Sequence, residues 1–250
     1  MTKLSYQLYS SRNFPPLDDT LKLVAETGYA QAECYSGLFQ SFDDIGALKA
    51  KLDAAGLDMP TTHVGLDMIE DDPQGFLKIA GQLGITHAFV PHLAEDLRPD
   101  SADGWRAFGA QLEEAGKPLE DAGVRFGWHN HDFEYIAGAS RHPIDDILAG
   151  GPNLAFEFDV AWAVRAGADP METIARYGDR ILAAHVKDIA PAGECLDEDG
   201  WADVGHGSMD WAGLMTALKG TNCKYFVMEH DNPNDDKRFA RRSFEFINSL

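Results

Sequence analysis

The chain has 250 residues, 44% of them hydrophobic, and a formal net charge of −20, which is the size and composition of one globular domain with a substantial core. The acidic balance repels phosphate backbones and excludes nucleic acid as an expected partner. No apolar run approaches the ~18 residues of a membrane span, and Met1-Thr2-Lys3-Leu4-Ser5 lacks the apolar centre of a signal peptide. Cys34, Cys195 and Cys223 are odd in number and lack metal-ligand spacing, so they read as reduced thiols of a cytoplasmic protein.

Eight short apolar runs alternate with helical stretches. The first is Leu4–Ser10. A helix follows, with Asp18-Asp19 at its positive end and Leu17, Leu21, Val24 and Ala25 on one face, and Gly28 closes it. The second run is Tyr29–Tyr35. The next helix opens at Asp43-Asp44 and closes at Gly56 before Leu57–Gly65. Asp72-Pro73 starts a helix carrying Phe76, Leu77, Ile79, Ala80 and Leu83, and Gly84 ends it before Ile85–Leu93. Gly123 precedes Val124–His131. His142-Pro143 and Gly151 bound a helix before Leu154–Ala161. Asp169-Pro170 and Gly178 do the same before Ile181–Asp188, and Gly220 precedes Tyr225–Asp231. All seven glycines are expected to take the left-handed conformation that ends a helix.

This alternation predicts a parallel sheet with crossover helices. An open doubly wound sheet would carry a glycine-rich phosphate loop after its first strand, and Ser10-Ser11-Arg12-Asn13-Phe14-Pro15-Pro16 is not one. The expected architecture is therefore α/β, a single-domain (β/α)8 TIM barrel over residues 1–250. The longest connection, Ile189 to Asp210, lies at the mouth side and is a candidate lid.

In such a barrel the C-terminal ends of the strands converge. Side chains alternate between interior and exterior, so Ala183, His185 and Lys187 share the inner face. Glu157 and Asp159 do so on the sixth strand, Gly127, His129 and His131 on the fifth, and Val227, Glu229 and Asp231 on the eighth. His230 then points outward and is expected to tolerate Gln. Four strands aim Asp159, His185, Glu229 and either His129 or His131 at one point. Two imidazoles and two carboxylates fit one divalent cation. Glu229 and Asp159, each following an apolar run, would be costly buried charges without a counter-ion, and a cation is expected to supply it ahead of a buried ion-pair network. His63 and His92 also lie near strand ends.

The motifs His129-Asn130-His131-Asp132-Phe133-Glu134-Tyr135, Phe156-Glu157-Phe158-Asp159-Val160-Ala161-Trp162, His185-Val186-Lys187-Asp188 and Val204-Gly205-His206-Gly207-Ser208-Met209-Asp210-Trp211 resemble the sugar-phosphate isomerase/epimerase family of xylose-isomerase-like barrels over nearly the whole chain. The resemblance implies a divalent metal on an acid from strand five, Asp from strand six, His from strand seven and Glu from strand eight. The last three carry over onto Asp159, His185 and Glu229. At strand five this chain has His129, favoured over His131 as ligand, so only Glu229 remains of the glutamate pair used by many epimerases of the family. Trp162 stands where many relatives have His, and is expected to wall the pocket.

A metal at this mouth stabilises an enediolate and eases removal of a proton next to a carbonyl. Glu229, Lys187 and His131 are the expected proton-handling groups, with Lys187 as acid. The rival expectation for Lys187 is a salt bridge to Glu157 or Asp188. His63, His92, Glu157 and Trp162 are expected to contact the substrate or orient ligands. Manganese is the expected ion, and zinc, cobalt or magnesium also suit mixed N/O ligation. Basic residues near the strand ends are few (Arg12, Arg98, Lys187), so an unphosphorylated sugar or keto-sugar is expected. The expected activity is a sugar isomerase or epimerase. The alternative is a lyase or dehydratase acting on a keto-sugar or keto-inositol. The phosphodiester-cleaving endonuclease branch of these barrels is disfavoured by Trp162, by the lack of Asp-x-His after strand seven and by the charge. A non-catalytic sugar-binding barrel is the remaining rival. Relatives often pair, which makes a homodimer an expectation.

Overall fold

A computed structural model describes residues 3–136, 138–139 and 141–250. Eight parallel strands close into a barrel: β1 (Leu4–Gln7), β2 (Gln31–Cys34), β3 (Asp58–His63), β4 (His87–Val90), β5 (Arg125–His129), β6 (Ala155–Asp159), β7 (Ile181–Val186) and β8 (Tyr225–Met228). Each strand pairs with its sequence neighbours, and β8 closes on β1. This is the single-domain TIM barrel expected from the alternation, and it rules out the open sheet. Among the described residues no helix is long and apolar enough to cross a membrane.

The strands are shorter than the apolar runs, and the differences fall at the site. β1 stops at Gln7 and turns into the 3-10 helix Leu8–Ser11. β5 stops at His129, so His131 belongs to the following loop. β6 stops at Asp159 because the Asp159 carboxylate accepts the Trp162 amide at 2.9 Å and caps the helix Val160–Arg165. β8 stops at Met228, leaving Glu229 just beyond it. Pro73, Pro143 and Pro170 each start a helix as expected. Of the seven helix-closing glycines, Gly28, Gly56, Gly84 and Gly123 have the left-handed backbone. Gly151, Gly178 and Gly220 do not, with φ of −115°, −53° and −82°. Gly151 is needed for close approach instead: a Cβ there would lie 2.6 Å from the Gly109 carbonyl oxygen.

The barrel interior is layered. A small apolar plug of Phe89, Ala155 and Ala183 fills the lower part, and the buried polar side chains of β2, β3 and β5–β7 lie above it. Gly127 keeps β5 and β6 together at this level, since a Cβ would come within 1.9 Å of the Ala155 carbonyl oxygen. Its place in register beside Ala155 puts His129 beside Glu157, and β6 and β7 in turn align Asp159 with His185.

The Ile189–Asp210 connection is pinned, contrary to its reading as a lid. Asp188–Ile189 pairs antiparallel with Trp201–Ala202. The buried Asp188 carboxylate accepts amides of Ile189, Gly205, Gly207 and Met209 at 2.9, 2.9, 3.2 and 3.1 Å. Arg238 from the last helix reaches Glu198 and Asp203 at 2.6 and 2.9 Å. Asp188→Ala therefore strands four amides and is expected to cost about 2–4 kcal/mol in urea unfolding, with new protease cleavage between Ile189 and Asp210. A variant with the parent's stability and cleavage pattern would show that the loop is held otherwise.

His87 opens β4 beside the Tyr225 ring (centroids 4.9 Å apart) and is 8% exposed. Burial, helped by Lys224 and Arg125, pushes its imidazole down to about 4 from the ordinary 6.5. The unfolded chain then binds the proton more tightly than the folded one. The stability this group supports is complete above pH 6.5 and is lost as pH falls toward 4. His87→Phe should flatten the acid limb of the stability–pH curve by about 3 kcal/mol at most. Parallel curves for parent and variant would exclude this origin.

Candidate functional site

The C-terminal end of the barrel carries two tiers of ionisable side chains joined by His185. In the lower tier, Glu157 of β6 accepts from His63 of β3 at 2.6 Å and from Nδ1 of His129 at 3.1 Å, and lies 3.4 Å from Nε2 of His185. Glu33 of β2 meets the same His185 Nε2 at 2.7 Å and His63 at 3.5 Å. Gln7 of β1 donates to Glu33 at 2.7 Å. Glu33, Glu157 and His185 have no exposed surface.

The upper tier stands on the other nitrogen of His185. Nδ1 is 2.8 Å from Glu229 and 3.9 Å from Asp159. The Lys187 ammonium, fully buried, lies 2.9 Å from Glu229, 2.9 Å from Asp231 and 3.3 Å from Asp159, and 4.7 and 5.2 Å from the ring centres of Trp201 and Trp162. Lys187 is thus the counter-ion of Asp159 and Glu229. The rival expectation for Lys187, a salt bridge to Glu157 or Asp188, is corrected in its partners: the ammonium pairs with Asp159, Glu229 and Asp231.

Charge in this enclosure is mutually determined. Burial alone would strip the proton from His185, but Glu157, Glu229 and Glu33 hold its pKa well above the usual histidine range. Burial also opposes the charge on Glu229, and Lys187 and His185 more than offset that, so its carboxyl sits well below its usual range. Burial and the nearby Glu33 push Glu157 up to about 7. Burial likewise disfavours the charge on Lys187, yet Asp159, Asp231 and Glu229 keep it raised.

Above the tiers opens a cavity of about 370 Å³ lined by Tyr9, Tyr35, His63, His92, His131 and Glu229, among others. That lies at the small end of ligand pockets, ~300–1,000 Å³. Burial and Lys187 push His131 down to about 3, so its ring is neutral, and its buried Nδ1 has no partner. Its loop is fixed by Glu134, whose carboxylate accepts the His131 amide at 2.9 Å and the Trp128 indole at 2.8 Å. Asn130 pairs through its side-chain amide with the backbone of Asp159, at 3.0 Å in both directions. The His129–Tyr135 motif therefore folds the loop that carries His131 and steadies Asp159. Arg98 stacks on Phe133 and donates to His92 at 3.2 Å.

The sequence residues fall into place as follows. His63, His129, Glu157 and His185 are together in the lower tier, and Asp159, His185 and Glu229 in the upper. The donor atoms of each set lie within 4.8 Å of one another. His129 does not join the upper set. Glu157 lies wholly beneath the cavity and holds histidines. Trp162 stands 5.3 Å (ring centres) from His131, behind the lining. His230 points outward as expected, but it is enclosed against Phe239, with its Nδ1 accepting the Asn232 amide. Outward here means the barrel–helix interface, so His230 is packed rather than exposed.

Glu33, Gln7, Tyr9 and Tyr35 were not found by the sequence reading. The available signal for Glu33 was the inward pair Gln31 and Glu33 in β2, since polar residues inside a barrel strand need partners. Both tiers suit a metal. Imidazole and carboxylate are the donors that divalent ions take, and buried Glu33 Oε2, Glu157 Oε1 and Asp159 Oδ2 have no hydrogen-bond partner.

Comparison with known proteins agrees with this architecture. The chain is similar to an inosose dehydratase of Geobacillus kaustophilus, 26% identical over 195 residues, which is 69% of this chain and 62% of that protein. It thus spans less than two thirds of that relative's length. Its fold matches the crystal structure of a sugar phosphate isomerase/epimerase from Parabacteroides distasonis with a TM-score of 0.83 and 19% identity, over 100% of this chain and 94% of that one. It also matches the IOLI protein with a bound zinc atom, with a TM-score of 0.75 and 16% identity, over 99% and 96%. The family model for the xylose isomerase-like TIM barrel matches residues 21–250, and the chain belongs to that family.

Proposed function

We propose that the chain is a divalent-metal-dependent isomerase or epimerase of an unphosphorylated sugar or keto-sugar, working by removal of a proton next to a carbonyl. The observation that carries this is Glu229, a carboxylate held ionised by Lys187 and His185 at a cavity of monosaccharide scale. A carboxylate held so far down is a weak base, so the substrate proton must itself be made acidic. A divalent ion held at the barrel mouth, where Asp159, His185 and Glu229 form one donor set, would supply that by stabilising an enediolate. Manganese is our first choice, with zinc, cobalt and magnesium as alternatives, and the zinc in the IOLI structure supports the metal reading.

The chain's own groups divide the remaining work. Glu229 takes the proton from carbon. His131, neutral and with Nδ1 unpartnered, gives or takes a proton at oxygen. Lys187 has three carboxylates around it and is not among the cavity-lining residues, so we assign it to holding Glu229 in place and ionised. Tyr9 and Tyr35, edge to face at 5.2 Å, offer an apolar wall for the C–H face of a sugar. No Lys or Arg is among the lining residues, while Glu229 and Asp231 are, which favours a substrate without phosphate.

A second reading, dehydration of a keto-sugar or keto-inositol, also has a specific support. Both lining carboxylates follow β8, so among the described residues no second carboxylate faces Glu229 across the cavity for two-base epimerisation. Elimination needs one base and one acid. The similarity to an inosose dehydratase points the same way.

The test is incubation with ketoses and 3-keto-sugars in D₂O with Mn²⁺. Deuterium next to the carbonyl identifies the isomerase, and an unsaturated or dehydrated product identifies the lyase. Turnover undiminished by chelator would remove the mechanism. Glu229→Gln should lower kcat by roughly 10²–10⁴. Lys187→Met should destabilise the fold by about 3–5 kcal/mol, because it leaves buried carboxylates uncompensated. A Lys187→Met protein as stable as the parent would contradict that role.

A further inference from the structure

We propose that Asp231 orients the substrate, its Oδ1 accepting a hydroxyl group on the carbon next to the one that Glu229 deprotonates, or on the carbon after that. This rests on the proton-removal reading above. It narrows the substrate to a polyhydroxylated ketone with an unblocked hydroxyl at that place.

Three observations carry it. The first is a free acceptor at the cavity. Glu229 and Asp231 are the carboxylates among the lining residues. Asp231 Oδ2 is held by Lys187 Nζ at 2.9 Å, and Oδ1 has no partner among the described residues. The side chain is 25% exposed, so it is neither sealed like Asp159 nor free in solvent. A carboxylate oxygen accepts up to two hydrogen bonds. Lys187 on the neighbouring oxygen disfavours a cationic group there, and the acidic lining disfavours a phosphate. A neutral hydroxyl remains.

The second is rigidity. The segment carrying Asp231 is braced against the loop after β1. Arg12 Nη1 donates to the Asp231 carbonyl at 2.5 Å and to the Tyr9 carbonyl at 3.0 Å. The His230 amide donates to the Ser10 hydroxyl at 3.0 Å, and the Asn232 amide to His230 Nδ1 at 3.1 Å. The carboxylate is therefore placed before a ligand arrives, which lowers the ordering cost of binding. The Arg12 guanidinium also lies over the Tyr9 ring, 3.8 Å from its centre. Tyr9 and Asp231 thus belong to one braced unit, an apolar wall beside a hydroxyl acceptor, and both line the cavity.

The third is placement. Asp231 Oδ2 and Glu229 Oε2 each lie 2.9 Å from Lys187 Nζ, so they stand within twice that distance of each other. One or two carbon–carbon bonds and a hydrogen bond of about 2.7 Å span such a gap. While Glu229 takes the proton from one carbon, Asp231 can hold the hydroxyl of a near neighbour.

The experiment has two arms. Crystals of the protein are soaked in Mn²⁺ with D-fructose, and separately with myo-inositol. A hydroxyl is expected about 2.5–3.0 Å from Asp231 Oδ1. A polyol bound in the cavity away from Asp231, or none bound, overturns the proposal. The second arm uses the ketose that reacts best, with its monodeoxy analogues. With the parent, one analogue should lose about 10- to 100-fold in kcat/KM, the range for a hydrogen bond to a charged group. With Asp231→Ala that analogue should lose nothing further. Asp231→Ala should raise KM for the full substrate by a similar factor, with a smaller fall in kcat. Asp231→Asn keeps an acceptor oxygen and should recover part of the loss; where the alanine variant does not fold, the same cycle is run with it. A merely structural role would slow the full substrate and every analogue alike, and that additivity overturns the proposal. The deuterium experiment remains separate. Without exchange or elimination the reaction fails while the crystals still judge the contact, and additive losses in a protein that turns over discard the contact and keep the reaction.

Discussion

Everything at the mouth of this barrel depends on His185 being bonded at both ring nitrogens to carboxylates from different strands. Nε2 meets Glu33 of β2 at 2.7 Å and Nδ1 meets Glu229 beyond β8 at 2.8 Å. One imidazole therefore ties the two sides of the barrel opening. It also joins a histidine-rich layer to an acidic one. Neither layer is stable as a set of isolated charges. The lower shares its glutamates among three imidazoles, and the upper wraps three carboxylates around Lys187. The residue joining them is the one whose protonation both layers control.

The apolar framework makes this possible. Phe89, Ala155 and Ala183 plug the lower barrel, so water is excluded beneath the polar tiers and the pairings above are made in a low-dielectric setting. The small residues Ala155 and Ala183 leave room for the larger polar side chains above them, and Gly127 holds β5 close enough to β6 for His129 to reach Glu157. The mouth loops are then held by acceptors that serve backbone amides. Asp188 does this for the long connection after β7, and Glu134 for the loop after β5. The open end is built to stay in one shape, and access to Glu229 runs through the cavity.

Much of this was legible in the sequence, for a definite reason. Alternation along a strand has period two, so once a run of four or five residues is placed, every inward side chain follows. That is why His129, Glu157, Asp159, His185, Lys187 and Glu229 could be named together, and why His230 could be placed on the other face. What parity lacks is depth. Glu157 and Asp159 share a face but stand in different tiers, and the relation of His129 to Asp159 is set by inter-strand register, which one strand's pattern does not contain. Strand ends were misjudged where a side chain caps the next element, as Asp159 does for the helix at Val160. Glu33 was missed because its strand, Gln-Ala-Glu-Cys, has no apolar run ending in a recognisable ligand. Burial on the outer face was underestimated too, since His230 lies under the C-terminal helix.

The two tiers also explain why so acidic a mouth keeps a reactive carboxylate. Three acids in contact with one ammonium leave an excess of negative charge, which would ordinarily drive a proton onto one of them. Burial does act on Asp159 and Asp231, whose pKa values are raised, whereas Glu229 is lowered. The difference is the second cationic partner. Glu229 alone touches both Lys187 and His185 at under 3 Å. The geometry thus sets Glu229 apart from its two neighbours, its carboxyl held low while theirs are raised, and this asymmetry at the edge of the cavity is what supports the proposal that Glu229 is the base.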